Sequence, residues 1–405
     1  MKKYYQHLLA SFILLSGALA APALASTPEL SDRTFRTVNK VQELIAKERY
    51  SDAIARLNKA INSSGKKEYD RAVLLQQMGF LYSLQDNYPK AAEYFTKSLK
   101  TNALPVPVAQ QVRYSLAQLL LAEGNFKQSV KTMKQWFEVA KTTDEKPQAH
   151  AYITLASAYV QLEDYRNAIA PTKKAIAMSK KPSESWYVLL MAAHYELKQF
   201  KSVAGVLKTL TTKYPKKKQY WMQLSGIYME LNQEKNSLAT LELAHKFGLL
   251  SEEKELLRLT NFQAYLGIPY RAAKTLEDEM GKGTIARTAK NQDKLGNYWQ
   301  QAKALDDAII AYRKAYDMKP TVKTQMKIAR LMIQDKQYKS ATQFTLKAAP
   351  DAKGDDKAEL AYLRGMAYFE LEQPTNALKA MKTAAQSKEM QAIAGPWINF
   401  LQDQS

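Results

Sequence analysis

A small residue keeps a fixed register along nearly the whole chain, and this constrains the fold more than any other feature. It stands at Ala53, Ala91, Ser129, Ala168, Val203, Ser237, Ala272, Ala308, Ala341 and Ala377, at intervals of 33 to 39 residues. Nine of the ten are Ala or Ser, a regularity that chance does not sustain over such a length. The surroundings repeat too. An aromatic or other large residue lies three before the anchor and packing residues lie four and seven after it. Examples are Tyr88, Ala91, Phe95, Ser98; Tyr165, Ala168, Thr172, Ala175; Phe200, Val203, Leu207, Leu210; and Tyr338, Ala341, Thr345, Ala348. Such spacings mark one face of a helix.

Each anchor has a partner segment upstream. Twelve residues before it stands a mostly small residue, as at Gly79, Ala117, Ala156, Ser225, Gly296, Ala329 and Gly365. Nine before it stands a large one, as at Tyr82, Tyr159, Tyr228, Trp299 and Tyr368. Two antiparallel helices pack closely when small residues meet at their crossing, and the aromatic rings then fill the space between successive pairs. The pattern predicts helices of roughly 12 to 15 residues joined by short turns. The repeat around Ala272 is the least regular, because Ala273 is better placed relative to Tyr270. Longer polar connections are expected at 62–67, 101–107, 141–148, 281–288 and 350–356, and Ser183 and Ser251 are expected to cap helices. Prolines follow second helices at Pro215 and Pro320, where they stop a helix without breaking it. Nothing alternates with a strand period. Gly395-Pro396 ends the pattern, and Trp397, Ile398, Phe400 and Leu401 are expected to cover the last open face.

The period identifies the tetratricopeptide repeat (TPR). The implied fold is all-α: a right-handed TPR superhelical solenoid of about ten helix-turn-helix repeats over residues 26–390, with a C-terminal cap at 391–405. Residues 1–25 read as a cleavable signal peptide. Lys2 and Lys3 precede an uncharged apolar stretch from Leu8 to Leu19, and Ala23-Leu24-Ala25 offers the small-x-small pattern of a cleavage site. The expected compartment is the periplasm, with no membrane span after cleavage.

Composition narrows the chemistry. The chain has no cysteine, which excludes disulfides, thiolate metal sites and a lipid on a cleavage-site Cys. Its 59 Lys and Arg against 39 Asp and Glu give a net charge of +20, or +18 without Lys2 and Lys3. Behind a signal peptide this favours anionic envelope surfaces or acidic protein segments over nucleic acid as partners. The same charge also suits the solvated exterior of Lys-rich helices. No constellation for catalysis is present. Gly281-Lys282-Gly283-Thr284 lacks the earlier glycine and the strand of a phosphate loop, and there is no nucleophile elbow or His-Glu-x-x-His pair. His194 occupies a large-residue packing position, and Glu242 with His245 is a single pair without the further carboxylates a metal bundle needs. The expectation is a protein that is not an enzyme and carries neither cofactor nor metal.

In such a stack the first helix of each pair lines the concave face. Residues one place beyond the small position, with those four before and three after, are expected to look inward: Phe80, Tyr114, Gln118, Tyr195, Met222, Met229, Asn261, Asn297, Arg330, Tyr362 and Phe369. Aromatic, Met and amide groups suit a peptide groove. Asn261, Lys294, Lys323 and Lys327 resemble the carboxylate clamp of chaperone-binding TPR proteins. Leu257 stands where the first clamp lysine belongs, so the expectation is a basic groove patch at Lys294, Lys323 and Lys327.

Several stretches resemble a narrower group. They are Glu184-Ser185-Trp186-Tyr187 leading to "HYELKQF", "KKKQYWMQLSGIYMEL" from Lys216, "AYLGIPYRAAKTLEDEMGKG" from Ala264 and "TAKNQDKLGNYW" from Thr288. These are similar to the periplasmic TPR proteins encoded beside TonB–ExbB–ExbD systems. The resemblance implies a protein–protein interaction scaffold accessory to TonB-dependent energy transduction, such as iron–siderophore uptake, with other proteins or peptides as partners. The alternative is an envelope-binding protein whose basic surface contacts an anionic polymer, peptidoglycan or lipopolysaccharide, in cell-wall or export-machine assembly.

Overall fold

A computed structural model describes residues 28–143 and 146–403. The expected signal peptide at 1–25 lies outside the described residues. The chain divides into two compact units that meet in sequence at Leu210 and Thr211. Among the described residues every regular element is a helix, as the repeat requires.

The first unit holds α1 (Asp32–Ala46), α2 (Tyr50–Ser63), α3 (Glu68–Leu84), α4 (Tyr88–Lys100), α5 (Val106–Ala122), α6 (Phe126–Ala140), α7 (Ala149–Gln161), α8 (Tyr165–Met178), α9 (Glu184–Glu196) and most of α10 (Phe200–Lys213). The second holds α11 (Lys218–Glu230), α12 (Glu234–Lys246), α13 (Glu253–Tyr265), α14 (Pro269–Lys282), α15 (Ala289–Gln301), α16 (Leu305–Met318), α17 (Val322–Gln334), α18 (Tyr338–Phe344), α19 (Gly354–Glu370), α20 (Pro374–Ala384) and the final α21 (Lys388–Asp403). Odd-numbered helices up to α19 are first members of a pair and even-numbered ones are second members.

Every anchor residue lies three places into its second helix and is at most 1% exposed. Its neighbours show why it must be small. A Cβ on Gly79 would come within 2.5 Å of the Phe95 ring, one on Gly296 within 2.6 Å of the Tyr312 ring, and one on Gly365 within 2.9 Å of Met381. In each case the first-helix position twelve before the anchor faces the second-helix position four after it. Where the first is glycine, the second is large enough to fill the gap. For the repeat around Ala272, the structure takes Ala272 itself as the anchor, with Tyr270 60% exposed.

One turn closes all ten pairs. The residue five before each anchor has a left-handed backbone: Glu48, Asp86, Gly124, Glu163, Lys198, Asn232, Gly267, Lys303, Lys336 and Glu372. The next residue's N–H donates to the carbonyl nine before the anchor, as in Asn87 to Tyr82 at 2.9 Å and Gln337 to Met332 at 2.7 Å. The left-handed residue's own N–H donates to the carbonyl three before it, as in Lys198 to Tyr195 at 2.8 Å. Together these are the Schellman bonds that satisfy helix-end carbonyls. The large residue nine before the anchor thus supplies a side chain to the core and a carbonyl to the turn.

Three expectations are corrected. Glu252, not Ser251, caps α13, and Glu255 of the first turn accepts from its N–H at 3.3 Å. Gly395-Pro396 does not end a helix; Pro396 sits inside α21, where its missing N–H costs one intrahelical bond. The third concerns α18, which has 7 residues where 12 to 15 were expected. The amide of Gln325, 1% exposed, explains the early stop. It donates to the carbonyls of Phe344 at 2.9 Å and Lys347 at 2.8 Å and accepts from the Ala349 N–H at 2.8 Å. Arg364 donates to the Thr345 carbonyl at 2.9 Å. Side chains therefore take over the backbone groups that a longer helix would have paired, and Ala348 falls outside it.

Candidate functional site

Successive first helices approach one another, while no two successive second helices do so to the same degree among the described residues. The approaches are α1 with α3, α5 with α7 and α7 with α9 in the first unit, and α17 with α19 and α19 with α21 in the second. At these positions the first helices lie on the inside of the bend, and side-chain bonds from α13 to α15 and from α15 to α17 carry the same register through the centre of the second unit.

In the first unit most of the expected inner residues pack against neighbours. Phe80 meets Phe95 edge-on with ring centroids 5.0 Å apart. Tyr114 lies 5.8 Å from Trp136, and its hydroxyl shares a 3.4 Å hydrogen bond with Thr154 of α7. Burial pushes the Tyr114 hydroxyl pKa up. Gln118 is half-buried, whereas Tyr195, at the end of α9, is 53% exposed.

In the second unit the inner surface has apolar ends and a polar centre. Met222 packs on the core from α11, and Met229, two turns further along, is 41% exposed. At the far end Tyr362 is half-buried, and Phe369 lies 5.1 Å from Trp397 and 6.0 Å from Phe400. Between them runs a ladder of hydrogen bonds. Asn261 Oδ1 accepts from Lys294 Nζ at 2.8 Å and from the Tyr298 hydroxyl at 2.6 Å. Asn297 Oδ1 accepts from the Tyr312 hydroxyl at 2.8 Å and from Lys327 Nζ at 3.2 Å. Lys327 Nζ also meets both oxygens of Asp293, at 2.7 and 2.9 Å, and sits 4.8 Å from the Tyr312 ring centroid. Arg330 pairs with Glu359 of α19. Lys323, at the start of α17, is exposed and takes part in none of these bonds.

The clamp-like trio of Asn261, Lys294 and Lys327 is thus brought to one surface, but the surface is not simply basic. Lys327 and Arg330 carry their counter-charges with them. Burial, then the nearby Lys290, lowers the Lys294 pKa. Burial, then the Asp293 carboxylate, raises the Tyr312 hydroxyl. Asp293 and Glu359 were not among the expected site residues. Asp293 was within reach of sequence reasoning, since it lies four before Asn297 in the same inner register.

The histidines serve structure. His194 is 4% exposed and its Nδ1 lies 2.6 Å from Gln199 Oε1. His245 Nε2 lies 3.0 Å from Glu279, and Glu242 binds Arg271 and Gln263 instead. No group of three or more His, Asp or Glu with metal-holding geometry occurs among the described residues. No helix among them is long and apolar enough to cross a membrane.

Stacked antiparallel hairpins with a buried small residue at each crossing define a helical-repeat protein. Two segments, residues 82–140 and 149–182, match tetratricopeptide-repeat family profiles, so these segments carry TPR repeats, modules that generally bind proteins. No curated protein matches the chain. Among solved structures it is similar to a tetratricopeptide repeat protein from Parabacteroides merdae, at 12% identity over 75% of this chain and 100% of that one, with a TM-score of 0.38. It is also similar to the TPR domain of P58(IPK), at 11% identity over 92% and 99%, TM-score 0.26. A third is MamA from Desulfovibrio magneticus RS-1, at 17% identity over 54% and 98%, TM-score 0.31. Superposition this loose adds nothing to the helix pairing described above.

Proposed function

We propose that this protein is a periplasmic scaffold whose second-unit inner surface holds a peptide segment of a partner, in a role accessory to TonB-dependent energy transduction. One observation carries the reading. The first helices present an exposed Met229 beside half-buried Met222 at one end, and half-buried Tyr362 and Phe369 at the other, of a polar ladder that is already internally bonded. A ladder built in advance loses little freedom when a partner docks, so apolar contacts at Met222, Met229 and Phe369 can be spent on affinity. The basic start, apolar stretch and Ala23-Leu24-Ala25 support export. The stretches at Lys216, Ala264 and Thr288 support the TonB association by resemblance.

The test is co-purification with detergent-extracted TonB–ExbB–ExbD complex. Replacing Met222 and Arg330 together by alanine is expected to weaken retention by about thirtyfold or more, the scale of a hot spot, with the melting temperature little changed. Exchanging Lys173 or Lys314 on second helices is expected to do little. Undiminished retention of the double variant overturns the inner-surface reading, and absence of any complex in the eluate overturns the TonB role.

A further inference from the structure

A crevice of about 690 Å³ opens beside α6 in the first unit. Arg113 of α5 and Lys127, Lys131 and Lys134 of α6 line it, with Val130 and Val139 between the charges. The three lysines recur at the spacing of one helix face. The only acid among the described residues of its wall, Glu138, is already paired with Lys141, Nζ to Oε1 at 2.8 Å. No carboxylate among the described residues pairs with Arg113, Lys127, Lys131 or Lys134.

Arg113 is held in place. Gln110, 5% exposed, donates its amide to the Trp136 carbonyl at 2.8 Å, which leaves its Oε1 to accept from Arg113. One guanidinium donor is thereby fixed, and the others have no partner among the described residues. Burial lowers the Arg113 pKa, in keeping with a charge partly stripped of water and not compensated. Desolvated charges in folded proteins are normally paired. A planar fork held by a buried amide suits a carboxylate bidentately. The valines and lysine stems give the same crevice an apolar floor, which a short peptide fills better than a uniformly hydrated polymer does.

We propose that this crevice binds an acidic segment of a protein partner, with one carboxylate in the Arg113 fork, flanking carboxylates on the α6 lysines and an apolar side chain over Val130 and Val139. It is a second binding surface, independent of the inner one.

Fluorescence anisotropy of the full chain with a labelled oligo-glutamate peptide carrying one central leucine tests it. R113Q is expected to weaken binding about tenfold, and K127Q/K131Q/K134Q about a hundredfold. K379Q/K382Q on α20 and the Met222–Arg330 double variant are expected to leave it unchanged. Should R113Q melt early, K131E serves in its place, because Lys131 is exposed and its replacement leaves the core intact. Binding that survives the crevice variants, or falls equally with K379Q/K382Q, overturns the proposal. So does displacement of the peptide by polyphosphate or lipopolysaccharide at lower concentration than unlabelled peptide, with loss in the same variants; the occupant is then an anionic polymer.

Discussion

Residues 28–183 and residues 218–403 stack the same helix pairs but stitch them together by different chemistry. In the first stretch, contacts between pairs are made by rings: Phe137 on Tyr152 at 4.8 Å, and His150 on Trp186, just beyond its end, at 5.3 Å. Ion pairs among its described residues join groups three or four apart in sequence. In the second stretch, ion pairs cross from one pair to the next: Lys218 to Glu255, His245 to Glu279, Arg271 to Glu242, Lys327 to Asp293 and Arg330 to Glu359. Rings meet between pairs there too, Tyr270 on Trp299 at 5.3 Å and Tyr316 on Phe344 at 5.3 Å, so charge in the second stretch adds to shape and does not replace it. The difference also decides where cations remain available. The second stretch spends Lys218, Lys327 and Arg330 on contacts between pairs, while the first leaves the cations around Arg113 without counter-charges among the described residues.

The largest effect should come from breaking the rings. Phe137→Ala removes a ring that touches both Trp136 of its own pair and Tyr152 of the next, and should cost about 3 kcal/mol or more. Hydrogen exchange should speed up across α5 to α7 with little dependence on salt. If instead the loss is confined to α6, the rings do not couple pairs.

Glu279 is the corresponding point in the second stretch. Burial alone would raise its pKa, but hydrogen bonds from Lys282, Thr284 and His245, with the Lys282 charge, hold it at about 2. The folded value is below the unfolded 4.5, so its stabilisation is complete above 4.5 and is lost as pH falls through about 2. The contribution is at most about 3 kcal/mol. Thermal melts between pH 5 and pH 2 should show this loss in the wild type. Glu279→Gln should start lower and change less over the same window.

Packing at the crossings should not distinguish the two stretches. Gly79→Ala and Gly296→Ala each drive a methyl group into a buried ring and should cost about 2 kcal/mol apiece. Unequal costs in denaturant titrations would mean that the crossings, and not only the stitching, differ.

A smaller effect is expected at the ladder. Asp293→Asn leaves Lys327 half-buried without its counter-charge and should cost about 1 kcal/mol, a difference that shrinks at high salt. Smallest of all is a gain: Glu163→Gly relieves a left-handed non-glycine residue and should stabilise by about 0.5 kcal/mol.

The ten anchors were legible because burial at a helix crossing admits only small side chains, and composition records that directly. The turns were not. Only Gly124 and Gly267 carry the residue that usually marks a left-handed position, and the other eight are Glu, Asp, Lys or Asn, held there by backbone bonds alone. Asn261 and Lys294 could be placed together from their register, and they meet at 2.8 Å. Glu359 could not, since it lies seven before Met366 and reaches Arg330 only through the particular approach of α17 and α19. Gln325 reads in sequence as an ordinary surface amide. Nothing local reveals that it intercepts the backbone after Phe344.

That interception has a mechanical consequence. A helix of two turns is too short to hold itself together, and α18 depends on one amide and one guanidinium to secure its end. Under tension along the chain, the 345–353 connection offers slack that can pay out once those few bonds shear, while the longer helices on either side stay wound. A pull along the chain should therefore lengthen this connection before any complete hairpin comes apart, an order that single-molecule extension would read directly.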